Sequence, residues 1–173
     1  YIHMPTGEVY KYSSKEETGL FEYERNDATF KIKTEKTEGI ESKYCLTYID
    51  GTAYRFDKYG NLVLKTDRFK NAVYYEWEEK NDSYRLTKIY DNSSNFVSFE
   101  YGENTIITVN GKSYVLNIET YDGVNTLKSI SDPYGTKVSF SYREEEIYFT
   151  FIEGKTAKEN TYLPIESITY ESG

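Results

Sequence analysis

Three segments of the chain repeat one pattern around an aspartate. Six, eight and ten residues after Asp67 stand Val73, Tyr75 and Trp77. After Asp91 the same positions hold Val97, Phe99 and Tyr101, and after Asp132 they hold Val138, Phe140 and Tyr142. A leucine stands five residues before each aspartate, at Leu62, Leu86 and Leu127. Residues two apart share one face of a β-strand, so each triplet marks an apolar face. A unit of this size is one hairpin, which cannot bury its own face and must stack on neighbours. The aspartates lie 24 and 41 residues apart, and the longer gap holds an extra hairpin. The 41-residue offset then sets Leu127 against Ile168.

Alternation of the same kind runs along most of the chain. Strands are expected over 8–12, 21–24, 28–34, 44–49, 53–56, 62–66, 73–77 and 84–90. They continue over 97–101, 105–109, 112–118, 127–131, 138–142, 146–151 and 165–170. Asp50-Gly51, Asn110-Gly111 and Asp122-Gly123 are expected hairpin turns, because Asn, Asp and Gly tolerate positive φ. Tyr59-Gly60-Asn61 and Asp132-Pro133-Tyr134-Gly135 read as further turns. The chain holds 20 Tyr and 9 Phe but only 3 Pro, which favours long strands over helices. Connections this short leave no room for the crossover helices of a parallel sheet. The expected fold is all-β: an antiparallel meander of repeated β-hairpins forming a twisted, curved sheet.

Length and charge narrow the function. With 173 residues the prior is one domain. Lys+Arg is 21 and Asp+Glu 29, a net charge of -8. Coating a nucleic acid or an anionic membrane needs a basic face, so both partners are disfavoured. No apolar run reaches the length of a membrane span. One Cys cannot form an internal disulfide framework.

The string Asp50-Gly51-Thr52-Ala53-Tyr54-Arg55-Phe56-Asp57, with Gly60, Leu62, Thr66, Asp67 and Asn71, resembles the opening of an Rhs/YD-repeat array. The units Tyr84–Asp91 and Leu127–Gly135 resemble the family's repeat itself, and the likeness covers about Tyr44 to Tyr170. Pro5–Tyr12 resembles the leader before such arrays in wall-associated proteins of Gram-positive bacteria. The family's turn glycine is replaced by Lys70 and Ser94. No match to the family's end-of-core motif is evident. The resemblance implies a leader β segment over 1–43 and a continuous array over 44–173. It also implies a secreted or surface-exposed protein whose repeats spiral into a hollow β-shell, in bacterial members commonly around a C-terminal toxin. The implied partner is the remainder of a longer chain, further repeats and an effector.

Little points to catalysis. His3 is the only imidazole and lies in a terminal segment. Cys45 sits in a strand with no imidazole or cationic partner indicated. Glu76, Glu78 and Glu79, and Glu144 to Glu146, could supply a glycosidase pair, but alternate charges more simply mark a solvated face. Asp67, Asp91 and Asp132 lack calcium-loop spacing and read as turn residues. No cofactor or metal is therefore expected, nor an enzyme. Tyr74, Tyr90 and Phe96 lie opposite the triplets and are the candidate ligand-stacking residues of an alternative reading, an adhesin for cell-wall or host glycans. On this assignment Phe99 is buried and Tyr74 is exposed.

Overall fold

The computed structural model describes residues 2–3, 9–10, 18–19, 28–121, 123–149 and 158–172. Every regular element among them is a strand. The first seven are β1 (Ile2–His3), β2 (Val9–Tyr10), β3 (Thr18–Gly19), β4 (Ala28–Thr37), β5 (Ile40–Tyr48), β6 (Ala53–Phe56) and β7 (Leu62–Thr66). Next come β8 (Ala72–Lys80), β9 (Ser83–Asp91), β10 (Phe96–Tyr101), β11 (Asn104–Val109), β12 (Lys112–Tyr121) and β13 (Val124–Ser131). The last are β14 (Lys137–Tyr142), β15 (Glu145–Phe149), β16 (Lys158–Tyr162) and β17 (Ile165–Glu171). Thirteen strands form one antiparallel meander in chain order from β3 to β14, with β17 added beside β14. β1 with β2, and β15 with β16, make separate two-stranded ribbons. The meander is open, with β3 and β17 at its ends. Among the described residues no helix is long and apolar enough to cross a membrane.

The expected strands thus form, with shifted ends, and the antiparallel meander is as read. The expected strand 21–24 lies outside the described residues, as do Asp122 and parts of 8–12 and 146–151. Two hairpin turns escaped the sequence reading. Thr37 pairs with Ile40 and Lys80 with Ser83, so Glu38-Gly39 and Asn81-Asp82 are two-residue turns with both residues at positive φ. Asn81-Asp82 carries no glycine, and its left-handed pair rests on the two residue types that tolerate that region best. Asn110-Gly111 is a turn of the same kind, as expected. Asp50-Gly51 is not. Tyr48 N–H donates to Thr52 C=O and Gly51 N–H to Tyr48 C=O, which makes a three-residue loop with Gly51 at φ 88°.

Backbone contacts divide the chain into two compact units, Tyr1–Ser98 and Phe99–Gly173. In the first, β4 ladders onto β5 across position 43. Directly opposed residues share a face, so the registers draw rows across the sheet. One row runs Cys45, Arg55, Leu64, Tyr74, Tyr90, Phe96. The row on the other face runs Phe30, Leu46, Tyr54, Lys65, Val73, Asp91. Both faces hold buried side chains: Leu64, Tyr74 and Cys45 on one, Phe30 and Leu46 on the other. The deepest cluster is Leu64, Ala72 and Tyr74, with Ile40 and Tyr90 against it. Ile40 reaches it because the β4–β5 hairpin is longer than β6 and β7; the Tyr74 hydroxyl donates to Glu38 at that hairpin's tip, 3.4 Å away.

This corrects the face assignment. The triplet residues Val73, Tyr75, Trp77, Val97 and Phe99 are only half-buried, whereas Tyr74 is 8% exposed. Alternation in a single sheet distinguishes two faces but does not say which one a long hairpin will cover.

The second unit is amphipathic. Thr105, Leu116, Ile130, Val138 and Tyr170 form a row on one face. Asn104, Asn117, Ser129, Ser139 and Thr169 form one on the other. Here the apolar side is the one with Val138, Phe140 and Tyr142, as the repeat predicts, yet all three are half-buried. Removing a buried ring costs about 3–5 kcal/mol and a half-covered one roughly half of that. Denaturant melts should therefore show Tyr74→Ala losing about 3–5 kcal/mol and Phe99→Ala about 2 kcal/mol; the reverse order would overturn the corrected faces.

Candidate functional site

The recurrent feature of the molecule is a turn built around an aspartate side chain. Asp67 Oδ1 accepts the N–H of Phe69 at 2.8 Å and of Asn71 at 2.9 Å, and its Oδ2 accepts Asn71 Nδ2 at 2.7 Å. Asp91 does the same with Ser93, Asn95 and Asn95 Nδ2, at 2.8, 3.0 and 2.9 Å. Asp132 accepts the N–H of Tyr134 at 2.8 Å and of Thr136 at 2.9 Å. The backbone closes the loop in each case, the aspartate N–H donating to the carbonyl four residues on. This is a three-residue hairpin loop, a type I turn followed by a left-handed residue.

A fourth copy was not recognised from the sequence. Asp57 accepts the N–H of Tyr59 and Asn61 and the Asn61 amide at 2.8, 2.9 and 3.0 Å. The legible signal was Asp-x-x-x-Asn, shared by Asp57/Asn61, Asp67/Asn71 and Asp91/Asn95. The left-handed position is Gly60 and Gly135 in two copies but Lys70 (φ 66°) and Ser94 (φ 68°) in the others. The absent glycines at those positions therefore do not change the turn. The side-chain bonds hold it against a left-handed penalty of about 1–2 kcal/mol.

The repeated leucine has a second role. Between Phe56↔Leu62 and Arg55↔Leu64 the ladder skips Val63. Between Trp77↔Leu86 and Glu76↔Lys88 it skips Thr87, and between Ile118↔Leu127 and Asn117↔Ser129 it skips Lys128. Each repeated leucine thus stands at a β-bulge, which interrupts regular pairing. The aromatic that closes the triplet serves this place. Trp77 Nε1 donates to Leu62 C=O at 2.7 Å, and Tyr142 Oη donates to Leu127 C=O at 2.7 Å, each fifteen residues apart. The position ten after the aspartate therefore needs an aromatic with a donor, which Trp77 and Tyr142 supply and Phe would not. The bulges also correct one alignment: Ile165 opposite Tyr142, with Glu166 skipped, is the partner of Leu127 in the repeat, not Ile168.

The candidate stacking residues Tyr74, Tyr90 and Phe96 do share one face and lie on three adjacent strands. They form no open platform. Tyr74 is buried, and its ring stacks on Tyr90 at 4.9 Å and 16°. Burial and the Glu38 carboxylate push the Tyr74 phenol up, and burial and Glu76 do the same for Tyr90. Exposed aromatics sit instead at the third position of three of the four aspartate turns: Tyr59, Phe69 and Tyr134. A cation lies over each ring, Lys58 at 4.7 Å, Arg68 at 4.6 Å and Lys112 at 5.0 Å. Tyr59 also stacks on Tyr84 at 4.6 Å, joining neighbouring hairpins.

Cys45 is buried, its sulfur 3.5 Å from Thr47 Oγ1, and His3 is exposed. No group of three or more metal-ligating side chains occurs among the described residues. In the second unit, Glu119, Lys128, Phe140, Tyr142, Glu144 and Leu163 line an open cleft of about 250 Å³. Glu119 and Lys128 form an ion pair there, and Tyr142 already spends its hydroxyl on Leu127. No protein-family model matches the chain, and no curated protein is similar to it.

Two measurements test this machinery. Tyr142→Phe keeps the ring but removes the donor and should cost about 1–2 kcal/mol in denaturant melts, and Trp77→Phe, which also loses part of the indole, should cost at least as much; unchanged stability of Tyr142→Phe would show that the bulge carbonyl finds water as readily. The turn bonds hold the Asp67 and Asp91 carboxyls below their usual range, the partner asparagine side chain contributing most. A carboxyl depressed in the folded state contributes stability above the unfolded value near pH 4, and that stability is lost as pH falls through the folded value. The double substitution Asp67→Asn/Asp91→Asn should therefore flatten the loss of stability below about pH 4. An acid limb as steep as that of the parent chain, followed by urea midpoints across pH, would contradict it.

Proposed function

We propose that this chain is a structural segment of a secreted or surface-exposed Rhs/YD-repeat protein. It forms part of a β-shell that encloses a C-terminal toxin or effector. The observation that carries the reading is the recurrence of one unit along an open meander: bulge leucine, aspartate turn, aromatic donor. Such a unit only holds strands to strands, which suits a wall extended by repetition. The mechanism is encapsulation. A continuous hydrogen-bonded sheet gives a protease no extended backbone to bind and keeps a folded or unfolded cargo out of its reach. Localisation would be extracellular or at the cell wall.

The second unit's cleft, lined by Phe140, Glu119 and Glu144 among others, favours a second reading as a glycan-binding module. An aromatic ring with flanking polar groups is the usual composition of a small-ligand site. One experiment separates the two. Digestion of the full-length protein with a nonspecific protease, followed by mass spectrometry, should leave an intact segment beyond the repeats. Rapid loss of everything beyond them would overturn the shell and leave glycan binding at the cleft as the function.

A further inference from the structure

The strand β17 has the local marks of an interior strand but stands, among the described residues, at the end of the sheet order. Ile165 occupies the bulge position of Leu62 and Leu127, with Glu166 as the skipped residue. Ile165-Glu166-Ser167-Ile168-Thr169 parallels Leu127-Lys128-Ser129-Ile130-Ser131 residue for residue. Ile168 and Tyr170 oppose Phe140 and Val138 and continue the apolar face. All seven residues are exposed, Ile165 at 53%, Ile168 at 46% and Tyr170 at 72%. The strand contains no Pro and no Lys, and its two charges stand at the bulge residue Glu166 and at the strand's last residue Glu171, which leaves Ser167–Tyr170 unguarded.

In the units that begin at Leu62 and Leu127 the strand after the bulge supplies a Trp or Tyr donor to the bulge carbonyl. We infer that the free edge of β17 takes an antiparallel β-strand of alternating apolar residues whose Tyr or Trp donates to Ile165 C=O. This deepens the shell reading by naming what the edge accepts. Main-chain pairing would give the affinity and the aromatic donor the register. Of the occupants, a strand like β14 fits best. Set against β17 as β14 is set against β13, its Val138 falls opposite Ile168 and its Tyr142 reaches Ile165.

The probe is a synthetic peptide with the sequence of residues 136–143, titrated into the isotope-labelled chain and followed by amide NMR. Shifts should be confined to Ile165–Glu171 and their β14 partners. The same peptide with Tyr142→Phe should bind about fivefold more weakly, the worth of one hydrogen bond. Ile168→Lys in the chain should abolish binding, and Tyr170→Ser, a milder change, should weaken it while both variants keep the parent's dispersion elsewhere. No shifts at millimolar peptide, or equal binding of the two peptides, would overturn the inference. So would concentration-dependent self-association that Ile168→Lys removes, which would make a second copy the occupant. None of these results bears on whether a downstream segment survives protease, so the shell reading stands or falls separately.

Discussion

The structure depends on a carboxylate accepting backbone N–H groups inside a turn. A three-residue hairpin loop leaves two amides pointing inward with no strand to receive them. The aspartate Oδ1 receives both, and in three of the four copies its Oδ2 also binds an asparagine amide. These charge-assisted bonds hold the loop through contacts local in the sequence. They also explain why the loop survives a lysine or a serine at its left-handed residue. Where Asp132 lacks the asparagine, Pro133 pre-sets φ at the first loop position and Gly135 takes the left-handed one.

A fixed loop sets the register of its hairpin, and the register sets everything across it. Tyr74 faces Leu64 because the loop at Asp67 places it there, and it faces Tyr90 because the Asn81-Asp82 turn and the bulge at Thr87 set the next hairpin. The bulges then add one residue per unit and bend the strand. Each bulge would expose a carbonyl within a half-buried surface, and the aromatic donor of the next strand covers it. Bulge leucine and donor aromatic are two halves of one device, fifteen residues apart in sequence and in contact in space.

A sheet built this way needs little core. Among those residues of the second unit whose burial is described, no hydrophobic side chain is buried, only Ser129. Its strands are held by the ladder, by hydroxyl pairs such as Ser141 with Ser167 at 2.8 Å, and by half-covered rings.

Much was legible without coordinates. Period-two alternation, tight-turn residues and aromatic composition fix an antiparallel meander, because each is a local property of backbone sterics. The repeat spacing was legible for the same reason. What the repeat meant was not. Leu62 and Leu127 read only as a recurring leucine and proved to be bulge positions; Trp77 and Tyr142 read as face-filling rings and proved to be donors. Tyr74 read as exposed and is buried, since the overhanging β4–β5 hairpin brings Glu38 and Ile40 onto that face. Sequence determined which residues share a face and where the chain turns. Only the tertiary structure decided which face is covered, because that depends on unequal strand lengths and on bonds between residues far apart in the chain.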